Sequence, residues 1–118
     1  MKRVVIVDDA AFMRLEIRRM LENNGFKVVG EAKDGEDAIE KYKKFKPDFI
    51  TLDITMPIMN GVEALKQIIA FDKDAKVLII SAIGLEHIVV ETVVLGALGF
   101  IIKPFNEKTL IDALRRLI

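Results

Sequence analysis

The stretch "VVIVDDAAF", Val4–Phe12, decides the fold. Four aliphatic residues in a row read as a strand buried on both faces, as in a parallel sheet with helices on either side. Two adjacent carboxylates, Asp8 and Asp9, follow at once. Like charges that close repel, and burying either is costly without a partner. Something at the end of this strand must make the pair tolerable or useful.

Working outward, the same unit recurs. "RVVIV" (3–7) is the first strand, and a helix over 11–24 puts Met13, Ile17, Met20 and Leu21 on one face, with Gly25 at its C-terminal end. "KVVGEA" is a second strand, and Asp34 caps a helix through Phe45 with Ala38, Ile39 and Tyr42 inward. "DFITLD" is the third strand, followed by the loop "ITMPIMNG", whose Pro57 and Asn60-Gly61 are turn signals. Val62, Leu65 and Ile69 mark a third helix, and "KVLIIS" is the fourth strand. A fourth helix begins at Leu85 and ends between Leu95 and Leu98. It packs on the sheet through Val90, Val93 and Ala97 and leaves Val89 and Val94 without an obvious core to enter. "GFIIK" is the fifth strand, and Asn106 caps a last helix with Leu110, Ala113, Leu114 and Leu117 buried.

Five strands alternating with five helices imply right-handed βαβ units in a doubly wound, flavodoxin-like α/β sheet, with the order 2-1-3-4-5. The pattern runs without a break, so a single domain over 1–118 is expected. With 52% hydrophobic and 31% charged residues the composition is that of an ordinary globular protein. Zero formal net charge argues against nucleic acid or an anionic membrane as the main partner. The absence of cysteine excludes disulfides and thiolate metal sites, and one histidine, His87, excludes a multi-histidine site within one chain. No apolar run reaches the roughly 20 residues that span a bilayer, and the start is not a signal peptide, so the expected location is cytoplasmic.

Ligands of such sheets bind at the carboxyl ends of the strands. The first strand ends in Asp8 and Asp9, the third in Asp53, the fourth in Ser81 and the fifth in Lys103-Pro104. In the order 2-1-3-4-5 these ends are neighbours. Only the second strand offers no reactive group; Glu31 near its end reads as a surface residue. Three carboxylates at one point exceed what Lys103 can neutralise. A hard divalent cation with oxygen ligands fits, and Mg²⁺ suits best because it keeps waters and leaves room for phosphate. A metal-bound aspartate beside a lysine and a hydroxyl is equipped to accept a phosphoryl group. Asp-Asp or Lys-Pro alone is most often a cap or a turn; the signal is the set.

The pieces "VDDAAFMR", "DITMPIMNG", "IISA" and "KPF", in order and spread over nearly the whole chain, resemble the receiver domain of two-component response regulators. Within that family the sequence is most similar to the single-domain, CheY-like chemotaxis regulators. The resemblance implies Asp53 as phospho-acceptor, and Asp9 as the main metal-ligand acid with Asp8 helping directly or through water. It implies the backbone carbonyl of Thr55 as a further Mg²⁺ ligand, Ser81 as switch hydroxyl, Lys103 as partner of the phosphoryl group with a cis bond to Pro104, and Phe100 as switch aromatic. Phe100 lacks the phenol of the tyrosine common at that place. Thr55 and Ile83 occupy, by the same resemblance, the positions that tune autodephosphorylation in that family.

By the same resemblance a histidine kinase is the phosphodonor and catalysis is confined to the chain's own phosphorylation and dephosphorylation. Output is expected through the face of the fourth helix, fifth strand and fifth helix, onto a protein such as a motor switch component, from a monomer or weak homodimer. Met56 is expected to pack and Met59 to lie on the loop surface, Tyr42 and Phe45 to serve helix packing, and His87 to be a surface side chain. A small Mg²⁺-dependent aspartyl-phosphate phosphohydrolase is the alternative, but that family's second acid lies two residues beyond its nucleophile, where this chain has Ala10 after Asp8-Asp9. A flavin mononucleotide binder would need a Ser/Thr-rich phosphate loop after the first strand. A phosphorylation-dead binding domain would not need the complete set.

Overall fold

The computed structural model describes residues 1–56 and 59–118. Its elements in chain order are β1 (Arg3–Val7), α1 (Ala11–Glu22), β2 (Lys27–Ala32), α2 (Gly35–Phe45), β3 (Phe49–Asp53), α3 (Gly61–Phe71), β4 (Val77–Ala82), α4 (Glu86–Val94), β5 (Gly99–Lys103) and α5 (Glu107–Arg115). All strand pairs are parallel, in the order β2-β1-β3-β4-β5. This is the doubly wound, flavodoxin-like arrangement expected from the alternation. Pro57, read as a turn signal, lies outside the described residues.

The sheet separates two apolar layers, and strand alternation distributes side chains between them. Val5, Val7, Ile50, Leu52, Val77 and Ile79 pack with the buried faces of α2, α3 and α4. Val4, Ile6, Phe49, Leu78, Ile80 and Ile101 pack with those of α1 and α5. The central strands are buried on both sides, which is why "VVIV" shows no period-two alternation in hydrophobicity.

Local chemistry sets the helix starts. Asp34, Asn60 and Asn106 each cap a helix by accepting from the backbone N–H three residues on, at 2.8, 3.0 and 2.9 Å. Asn60 is thus a cap as well as a loop residue. Gly61 beside it is required by close approach: a Cβ there would stand 2.5 Å from the Asp53 carbonyl oxygen and from Ile54 Cα. The first turn of α3 therefore lies directly against the end of β3. Gly25 adopts φ +82° just beyond α1, where a side chain would be strained.

The largest correction concerns α4, which is shorter than expected and rotated. Val89 and Thr92 face the sheet, buried, while Val90, Val93 and Val94 are exposed. Ala97 is buried as expected, but in the turn beyond the helix. The cause is Thr92. Its hydroxyl donates to the Val89 carbonyl at 2.6 Å, which lets a polar residue sit on the apolar side. Met59 is also corrected: it is half-buried, packs on the α2–α3 layer, and accepts a hydrogen bond from the Gly35 N–H at its carbonyl. Met56 packs on the same layer, and His87 is exposed, both as expected. Tyr42 is buried and donates to Asp72 at 2.8 Å; burial, then this bond to a carboxylate, pushes its pKa upward.

Candidate functional site

The strand ends converge as the order requires. Alternation continues past the apolar residues: Asp8 follows Val4 and Ile6, Asp53 follows Phe49 and Thr51, and Lys103 follows Ile101. These three polar groups therefore emerge on one side of the sheet's edge and meet. Lys103 Nζ lies 3.1 Å from Asp8 Oδ2 and 3.4 Å from Asp53 Oδ2. Asp9 joins them, and Asp8, Asp9 and Asp53 each offer an oxygen within 4.8 Å of the others. Asp8 is fully buried, Asp53 nearly so, and Asp9 is exposed.

Further bonds hold this corner. The Asp8 amide donates to the Ala32 carbonyl at 3.1 Å, and Asp8 Oδ1 accepts from the Ala10 N–H at 2.9 Å. Asp53 Oδ1 accepts from the Thr55 N–H at 3.0 Å. Burial pushes the Asp53 carboxyl above its ordinary range, against the Thr55 N–H and the Lys103 ammonium, and the charge of Asp8 adds to the rise. Burial pulls Lys103 down, but Asp53 and Asp8 outweigh it, so the ammonium is held more firmly charged than usual. The site thus sets three carboxylates against one fixed cation.

The cluster opens into a cleft of about 470 Å³ lined by Asp9, Asp53, Thr55, Ala82, Ile83, Leu85 and Lys103. Its oxygen-only donors and uncompensated negative charge fit a hard divalent cation. Asp8, Asp9, Asp53, Thr55 and Lys103 are thus brought together. The Lys103–Pro104 bond is cis, in agreement with the expectation.

Ser81 and Phe100 stand apart. Ser81 follows Val77 and Ile79 on the opposite side of the sheet, fully buried, and its hydroxyl donates to the neighbouring Ala82 carbonyl at 3.0 Å. Phe100 is half-exposed and lines a separate apolar groove of about 280 Å³ with Val89, Val90, Val93, Val94, Ile102 and Glu86.

Residues 4–115 match the response regulator receiver domain. The chain belongs to that family. This receiver domain is 48% identical over 115 residues to the chemotaxis protein CheY of Thermotoga maritima, covering 98% of this chain and 96% of the relative. It is 49% identical over 116 residues to the protein CcdB of Bacillus subtilis, covering 98% and 97%. Among solved structures, the CheX-CheY-BeF3-Mg complex from Borrelia burgdorferi superposes with a TM-score of 0.95 at 38% identity, over 98% of this receiver domain and 88% of that chain. A receiver domain is a signalling domain of two-component systems. No helix among the described residues is long and apolar enough to cross a membrane.

Glu31 is the group that sequence reasoning undervalued. It is half-buried, and it takes Arg14 on one oxygen and Arg18 on the other. The spacing of Arg14 and Arg18, one turn apart on α1, was the available signal.

Proposed function

We propose that this receiver domain is a phosphorylation-activated switch that accepts a phosphoryl group on Asp53 from a histidine kinase, with Mg²⁺ as cofactor, and signals by protein contact in chemotaxis. The observation that carries the reading is the cluster itself: a buried Asp53 carboxylate 3.4 Å from Lys103 and beside Asp8 and Asp9. Asp8, Asp9, the Asp53 carboxylate and the Thr55 carbonyl are the groups that would hold the ion. Bound there, Mg²⁺ would neutralise charge on the phosphoryl oxygens.

The chain's own residues do the rest. An Asp53 oxygen attacks phosphorus, the bond from phosphorus to the donor breaks, and an acyl phosphate forms. Lys103 binds a phosphoryl oxygen through its ammonium. Ser81 must leave its bond to the Ala82 carbonyl before its hydroxyl can donate to the phosphoryl group. That movement vacates space into which the Phe100 ring can turn, and it couples the site to the face of α4, β5 and α5. The groove beside Phe100 supports that face as the output surface: its lining is apolar, and Val90 and Val94 are exposed on its wall. A motor switch component is the proposed partner at that face.

Incubation with Mg²⁺ and acetyl phosphate tests the reading. One phosphoryl group per chain, labile to hydroxylamine and lost in Asp53→Asn, is the expected result. Many turnovers of an external phosphate ester point instead to a phosphohydrolase, and label surviving Asp53→Asn rules the acceptor out.

A further inference from the structure

The β1–α1 corner is gripped from behind by a guanidinium. Arg14 Nη1 donates to the Asp8 carbonyl oxygen at 2.7 Å, and Arg14 Nε donates to Glu31 Oε1 at 3.1 Å. Glu31 Oε2 in turn accepts from Arg18 Nε and Nη2 at 2.9 and 2.7 Å. The oxygen that Arg14 holds belongs to the peptide joining Asp8 to Asp9, so Arg14 fixes the plane of that peptide.

This matters most for Asp9. The Asp8 side chain has its own restraints in Ala10 N–H and Lys103. The Asp9 carboxylate is exposed and makes no hydrogen bond or ion pair among the described residues. Its place in the cluster therefore comes from the backbone that carries it. A rigid fork between β2 and that backbone is an effective way to set it, because a guanidinium can hold the carbonyl and the Glu31 carboxylate at once.

We infer that Arg14, braced by Glu31, is a positioning residue that presents Asp9 to a divalent cation and so raises the affinity of the carboxylate cluster for it. The inference rests on the metal-binding reading above. A mere charge effect has the opposite sign. A fixed positive charge beside the site repels Mg²⁺, so removing it should tighten binding; loss of positioning should weaken it.

Calorimetric titration with MgCl₂ at fixed ionic strength, on wild type, Arg14→Gln and Arg14→Lys, decides between them, with melting in EDTA as the control for folding. Groups that orient metal ligands typically change affinity by about tenfold or more. Arg14→Gln should raise the Mg²⁺ dissociation constant by about tenfold. Arg14→Lys keeps the charge but not the fork, and should recover part of the loss. Unchanged or tighter binding in Arg14→Gln overturns the inference. If Arg14→Gln does not fold, Arg14→Lys decides alone: a wild-type constant overturns the inference, and a weaker one supports it. Wild type that binds no Mg²⁺ overturns the metal-site reading itself, whereas wild-type binding matched by both variants overturns only the role of Arg14.

Discussion

Without a divalent cation, Asp53→Asn should make this protein more stable at neutral pH. Asp53 faces two carboxylates with oxygens within 4.8 Å and one ammonium at 3.4 Å. At an effective dielectric of about 20, like charges at 4.8 Å repel by roughly 3.5 kcal/mol and the lysine pair at 3.4 Å attracts by roughly 5 kcal/mol. Two repulsions against one attraction leave a deficit of roughly 2 kcal/mol. Solvent around exposed Asp9 screens part of it, so about 1–2 kcal/mol is expected. For a chain of this length that is a rise in Tm of about 4–8 °C.

The pH dependence gives the test its sign. Burial, then the charge of Asp8, holds the Asp53 pKa above its unfolded value, against the pull of Thr55 and Lys103. The stability contributed by this group is therefore complete below the unfolded pKa, about 3.9, and is lost as pH rises through the raised folded value. The amide variant has no such loss. Melting followed by circular dichroism in EDTA should show the two proteins close together near pH 4 and separated in favour of Asp53→Asn at pH 7. Millimolar Mg²⁺ should then lift wild type more than the variant. Equal melting at pH 7, or a gap that is the same at both pH values, refutes the electrostatic account.

Gly61→Ala ought to stabilise an ordinary helix by up to about 1 kcal/mol, but here the new Cβ meets backbone at 2.5 Å, which cannot yield as a side chain can. A net loss of about 1–3 kcal/mol is expected, with slower labelling of Asp53, measured by thermal melting and phosphoryl incorporation. Thr51 Oγ1 is buried below Asp53 with no hydrogen-bond partner among the described residues, so Thr51→Val should gain about 1 kcal/mol and raise the melting temperature. Val89→Glu buries an unpaired carboxylate and should prevent folding, whereas Val94→Glu, at a site 80% exposed, should change stability by less than about 0.5 kcal/mol and weaken partner binding in a pull-down with a phosphate mimic.

The strand ends were legible because two simple signals agree. A buried parallel strand needs a run of aliphatic residues, and each run here stops at a residue too polar to continue it: Asp8, Asp53, Ser81, Lys103. Given the sheet order, their convergence follows from connectivity, without knowledge of any side-chain contact. What the runs could not reveal is which side of the sheet each terminal residue takes. Counting alternation from the core residues does so, and it separates Ser81 from Asp8, Asp53 and Lys103. The bonds of Glu31 are harder to read for a different reason: Arg14 and Arg18 one turn apart mark a basic face of α1, but pairing that face with a carboxylate on β2 depends on side-chain reach across two elements.

The phase of α4 was misread because hydrophobicity carries little information there. Ile88, Val89, Val90, Val93 and Val94 spread apolar side chains around much of the helix, so no stripe stands out. Its one buried polar residue, Thr92, points the wrong way on any hydrophobicity scale and is tolerated only through its bond to the Val89 carbonyl. That ambiguity has a physical counterpart. The β-branched residues lower helix propensity by up to about half a kcal/mol each, and burial anchors the helix chiefly through Val89 and Thr92. An element held by few buried side chains and presenting an apolar outer wall can shift against the sheet at low cost. It also borders Phe100 in the exposed groove. The all-round apolar pattern that hides the phase of the helix is the same one that leaves Val90, Val93 and Val94 on its exposed outer wall.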